Sequence, residues 1–99
     1  MMIRSTPWKT VILLCGKCSR KLDGKGYGEK GKESLRTVLR TELRVRGRRR
    51  EVRIIETSCL GICPRKAVTC INASSPGRIL TVPKKTHAGE ALDLILGSA

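Results

Sequence analysis

The sequence predicts a single mixed α/β domain in the order β-α-β-β-β-α, with helices packed on a small mixed sheet. Three observations lead there. Ninety-nine residues suffice for one domain that buries somewhat over ~60% of its unfolded surface. Short β-branched runs flank one strongly periodic helical stretch. Two β-rich runs joined by Asn72-Ala73-Ser74-Ser75-Pro76-Gly77 read as a hairpin.

Residues 1–9 are expected to form a flexible tail and 10–97 the domain. Thr10 to Leu14 is continuously apolar or β-branched, the pattern of a central strand covered on both faces. It is too short for the apolar region of a signal peptide, and no stretch is long enough to span a membrane. A cytoplasmic protein with reduced cysteines is expected, because disulfides rarely persist in that compartment. Residues 19–32 interleave Gly24, Gly26, Gly28 and Gly31 with Lys25, Lys30 and Lys32, and are expected to be a mobile basic loop. The run Gly26 to Lys32 has the GxxxxGK spacing of a phosphate-binding loop. Glu33 follows where a Ser or Thr should stand, and a carboxylate there repels phosphate, so the flexible loop is the preferred reading.

Glu33 to Arg46 is the clearest helix, with Leu35, Val38, Leu39 and Leu43 on one stripe. Glu33 suits its first turn, Arg44 and Arg46 its last, and Gly47 its end. Glu51 to Glu56 is a second strand. Ala67 to Ile71 and Ile79 to Val82 are the hairpin strands, and Ala88 to Leu96 is a terminal helix ending before Gly97. Phe is absent and the only aromatics are Trp8 and Tyr27, so the core is left to Leu, Ile, Val and Ala.

Four of the five cysteines form two tight pairs, Cys15-Gly16-Lys17-Cys18 and Cys59-Leu60-Gly61-Ile62-Cys63, the second followed by Pro64. Each pair holds two sulfurs close together using local backbone alone. Two such pairs meeting in space make a four-thiolate metal or iron-sulfur site with Cys15, Cys18, Cys59 and Cys63 as ligands. The first pair falls after the first strand, where functional groups collect in open α/β sheets. Cys70 lies in the strand pattern Ala67-Val68-Thr69-Cys70-Ile71, where a free cysteine behaves as a small buried hydrophobe. It is the substitute ligand should Cys18 not bind. His87, the single histidine, reads as an exposed or capping residue.

Lys and Arg number 21 against 8 Asp and Glu, a net charge of +13 that calls for anionic partners. Arg36, Arg40 and Arg44 recur every four residues on the predicted helix. On an isolated helix such a row is a solvated face, but Arg48, Arg49 and Arg50 extend the same positive surface. The six together are expected to dock an acidic protein. One histidine and eight carboxylates equip the chain poorly for acid-base catalysis, so an enzyme is not expected.

Cys59-Leu60-Gly61-Ile62-Cys63-Pro64, placed between a strand and a hairpin, resembles the thioredoxin-like 2Fe-2S ferredoxins, in particular the small bacterial 2Fe-2S ferredoxin domain-containing proteins. The likeness runs from about Val11 to Val82, although the family more often spaces its first two cysteines further apart. It implies a thioredoxin-like fold, a 2Fe-2S cluster on the four cysteines named above, and electron transfer or carriage of the cluster itself; the acidic redox partner is expected from the charge distribution alone. The cations Lys17, Arg20, Lys21, Arg65 and Lys66 flank the ligands and would stabilise the negative charge added on reduction. That predicts a higher potential than in an acidic ferredoxin. Gly16 and Gly61 would let backbone N–H groups approach the sulfurs.

Two other chemistries fit the same cysteines. A structural zinc would staple a small core, and the basic surface would then read as a nucleic-acid binder through phosphate contacts, against which stands the scarcity of aromatics for base stacking. Thiol-disulfide exchange is the third, because CxxC after a strand looks like a thioredoxin active site. It needs Cys15 at a helix N-terminus, the glycines keep any such helix very short, and the second pair would go unexplained.

Overall fold

The computed structural model describes residues 1–62 and 64–97. Along the chain run β1 (Thr10–Cys15), α1 (Gly16–Lys21), α2 (Leu35–Val45), β2 (Val52–Thr57), β3 (Ala67–Asn72), β4 (Leu80–Pro83) and α3 (Ala88–Gly97). The four strands form an open mixed sheet in the order β2-β1-β3-β4. β1 runs parallel to β2, which requires a crossover, and α2 supplies it. β1 is antiparallel to β3, and β3 and β4 form the expected hairpin.

The apolar stripe does what its spacing predicts. Leu35, Val38, Leu39 and Leu43 of α2 are all buried, against a core that includes Ile12, Leu14, Val52, Ile54, Val68, Leu92 and Ile95. Ser34 caps α2, its hydroxyl accepting the Thr37 N–H at 3.2 Å, so Glu33 precedes the helix instead of standing in its first turn. The other end closes with Gly47 N–H to Arg44 O at 3.1 Å and Arg48 N–H to Leu43 O at 2.9 Å. Arg46 then fastens α2 to α3, donating to Glu42 at 3.0 Å, Asp93 at 2.7 Å and the Gly89 carbonyl at 3.2 Å.

The predicted order lacks α1. Six residues with no apolar period leave no helical signature in sequence, and α1 owes its form to its place at the end of β1. Beyond it, residues 22–33 fold back on themselves. Tyr27 and Glu33 exchange both backbone hydrogen bonds at 3.0 Å, Gly26 N–H reaches Gly31 O at 3.0 Å, and Gly31 N–H reaches Gly28 O at 3.1 Å. These amides are bonded within the stretch rather than turned outward to cradle phosphate. The Tyr27 ring is fully buried, and its hydroxyl donates to the Val82 carbonyl.

Candidate metal centre

Because β1 and β2 are parallel neighbours with Cys15 opposite Thr57, both strands end at the same edge of the sheet. The first cysteine pair and the start of the second cysteine segment therefore lie side by side. The approach is close enough to dictate a residue. A Cβ on Gly16 would stand 2.6 Å from the Thr57 carbonyl oxygen, so that position admits only glycine without displacing backbone. Lys17 N–H bonds the Ser58 carbonyl at 3.2 Å and fastens the start of α1 to the end of β2.

Cys15 is the N-cap of α1 and is fully buried, and Cys18, one turn later, is 1% exposed. Burial pushes the Cys15 thiol up. The backbone N–H groups of Cys18, Leu60 and Lys17 and the Cys18 thiol outweigh it by stabilising the thiolate, so its pKa lies below the ordinary value. Burial pushes the Cys18 thiol up, and the negative charge of a Cys15 thiolate adds to that; Thr69 opposes both. The Cys18 sulfur lies 3.8 Å from the Ile62 carbonyl and 3.8 Å from Thr69 Oγ1, while Thr69 itself donates to Ile62 O at 2.9 Å. Cys18 is thus held against the residue that precedes Cys63.

Cys59 is exposed, and its sulfur accepts the Gly61 N–H at 3.3 Å. Gly61 has φ +88°, a conformation that favours glycine. Gly61 therefore plays the expected part of bringing an N–H to sulfur. Gly16 serves instead to admit the neighbouring strand.

Cys63 lies outside the described residues. Among the described residues no group of three or more His, Cys, Asp or Glu side chains is gathered as for a metal ion. The donor chemistry of the first pair and Cys59 nonetheless suits a thiolate-bound metal: two adjacent buried sulfurs, a third on the neighbouring segment, and N–H groups directed at two of the three. Lys17, Arg20, Lys21, Arg65 and Lys66 are exposed around these segments, as a charge-stabilising rim requires.

Cys70 is fully buried in β3, as the strand pattern indicated, and burial pushes its thiol from 9.0 up to about 12. Its folded pKa is raised, so the stability it contributes is complete below the unfolded value and is lost as pH climbs through the window from about 9 to about 12. In denaturant titrations the metal-free protein should lose roughly 1.4 kcal/mol more per pH unit across that window than Cys70→Ala does. Parallel curves for the two proteins would contradict the burial.

The six arginines expected to dock a partner differ in their surroundings. Arg36 and Arg48 are half-buried and pair with Glu56 at 3.6 Å and Glu51 at 3.5 Å. Arg40, Arg49 and Arg50 gather with Arg36 around a pocket beside β2, and Arg44 is exposed outside that pocket. His87 is exposed and its Nδ1 accepts the Gly89 N–H at 3.1 Å, the capping role read from sequence. Thr69 was not singled out from sequence, and its signal is a polar side chain inside an otherwise apolar strand. Among the described residues no helix is long and apolar enough to cross a membrane. Compared with protein-family models, curated proteins and solved structures, the chain finds no match in any of the three.

Proposed function

We propose that this protein is a thioredoxin-like 2Fe-2S protein that carries electrons, or the cluster itself, with Cys15, Cys18, Cys59 and Cys63 as ligands. The observation that carries the reading is the parallel register of Cys15 with Thr57, which brings the two cysteine segments to one end of the sheet. The order strand, first cysteines, crossover helix, strand, second cysteines, hairpin also agrees with what the ferredoxin resemblance implies. When bound, such a cluster supplies a one-electron couple. The chain's own part is to fix the sulfurs, exclude water from Cys15 and Cys18, and offset negative charge. The N–H groups of Lys17, Cys18 and Leu60 favour a deprotonated Cys15, the form a metal requires. Lys17, Arg20, Lys21, Arg65 and Lys66 would draw an acidic redox partner to this end of the molecule.

One observation favours thiol-disulfide exchange: Cys15 caps α1 with a lowered pKa beside a Cys18 whose pKa is raised. Burial counts against it. With Cys15 fully buried and Cys18 only 1% exposed, neither sulfur of the pair can reach an incoming disulfide to attack it.

The test is a visible absorption spectrum of anaerobically purified protein, with iron, sulfide and zinc analysis. Charge-transfer bands with iron and sulfide in equal amounts are expected. Zinc alone would replace the reading with a structural staple, and neither metal after reconstitution would overturn it.

A further inference from the structure

Trp8, the chain's single tryptophan, belongs by sequence to the N-terminal tail. In the fold it is carried to the edge strand β2, because the Lys9 N–H bonds the Glu51 carbonyl at 2.7 Å. There it joins Arg36, Arg40, Arg49, Arg50 and Arg53 around a pocket of about 280 Å³. The Arg53 guanidinium carbon lies 5.5 Å from the centre of the indole ring. Trp8 remains 43% exposed.

We propose that this pocket binds single-stranded nucleic acid, the arginines holding phosphates while one base stacks on the Trp8 and Arg53 pair. Among the described residues, Arg40, Arg49, Arg50 and Arg53 pair with no carboxylate, Arg36 alone of the five being paired, through Glu56. The Arg36 Nε–H is buried without a hydrogen-bond partner among the described residues. A dense group of cations that leaves its charge unpaired calls for a polyanion. All five are arginines, whose planar forks suit phosphate oxygens, and whose guanidinium planes stack on bases as readily as on indole. An acidic protein would satisfy the charge and leave the indole without a role. A duplex keeps its base faces stacked and unavailable to it, whereas an unpaired strand offers both phosphate and base face.

The site shares no residue with the cysteine centre. It opens beside Val52, Arg53 and Ile54 of β2, and only Arg36, through its pair with Glu56, reaches toward Thr57, so either proposal can fail alone.

The experiment titrates the full chain with a dodecamer of deoxythymidine at several salt concentrations. Binding is read by Trp8 fluorescence and by anisotropy of a labelled oligonucleotide. Quenching is expected, with log K falling against log salt with a slope of roughly −3, from four unpaired arginines at about −0.7 per phosphate. Trp8→Ala should weaken binding of the labelled strand by roughly 5- to 150-fold without altering the circular dichroism spectrum. Arg40→Ala with Arg50→Ala should flatten the slope by about 1.4. Absence of quenching, equal affinity for polyglutamate of the same length, tighter binding of the duplex, or an unchanged affinity in Trp8→Ala would each overturn the proposal. The polyglutamate result would assign the face to an acidic protein.

Discussion

Cys15→Ser and Cys18→Ser should each purify without iron or sulfide, falling from about two irons per chain to nearly none. Cys70→Ser should keep the full complement. The contrast is the sharpest available because all three sulfurs are buried within one core, yet only two face the second cysteine segment. Cys15 takes N–H groups from both segments, through Lys17 and Cys18 on its own side and Leu60 across the gap. Cys18 touches the Ile62 carbonyl. Cys70 is in β3, opposite Leu14 and Leu80, its thiol kept neutral by burial. A general loss of packing would therefore affect the three variants alike, whereas loss of ligation separates them. Cys59→Ser belongs with the first two, and its exposed position leaves the fold nearly unchanged, so its metal content reports ligation free of packing effects. Iron retained in full by Cys15→Ser would remove that residue from the ligand set.

The regular elements were largely legible because each buries one face with the period of its own geometry. The α2 stripe and the alternation of β2, where Val52 and Ile54 are buried while Arg53 and Ile55 are exposed, follow directly from periods of 3.6 and 2. Strand bounds came within a residue or two, as with β4, expected over Ile79 to Val82 and found over Leu80–Pro83. What local pattern does not hold was not legible. α1 depends on Cys15 ending a strand beside Thr57, and the role of Gly16 depends on a carbonyl 41 positions later in the chain. Neither leaves a periodic trace. The arginine pocket was half legible: the helical row and Arg48 to Arg50 were visible, but the pairing of Arg36 with Glu56 and of Arg48 with Glu51, and the arrival of Trp8 and Arg53, belong to tertiary structure. The cysteine pairs were legible as donors, whereas the side-by-side placing of their two segments follows from the parallel pairing of β1 with β2, which no local pattern records.

Tyr27→Ala should lower the unfolding free energy of the metal-free protein by about 3–5 kcal/mol, the range for removing a buried aromatic ring. Against the ~5–15 kcal/mol available to a domain of this size, that is a large fraction of the total. At ~4–8 °C per kcal/mol the melting temperature should drop by at least about 12 °C, measurable by circular dichroism. The position is unexpected, since Tyr27 sits between Gly26 and Gly28 in a stretch rich in lysine, where composition alone suggests a solvated loop. The ring is nevertheless fully buried, the hydroxyl is bonded to the Val82 carbonyl, and the Lys85 N–H bonds the Gly26 carbonyl at 2.8 Å. These contacts tie the chain leaving Cys18 to the link between β4 and α3. Tyr27→Phe separates the two contributions, because it keeps the ring and removes only the hydroxyl's hydrogen bond to the Val82 carbonyl, at a cost of about 0.5–1.5 kcal/mol. If Tyr27→Ala melted with the unaltered protein, the ring would not be the anchor. If it melted early and the variant also purified without iron, the same residue would be holding the Cys18 end of the cysteine centre in place from the far side of the glycine stretch.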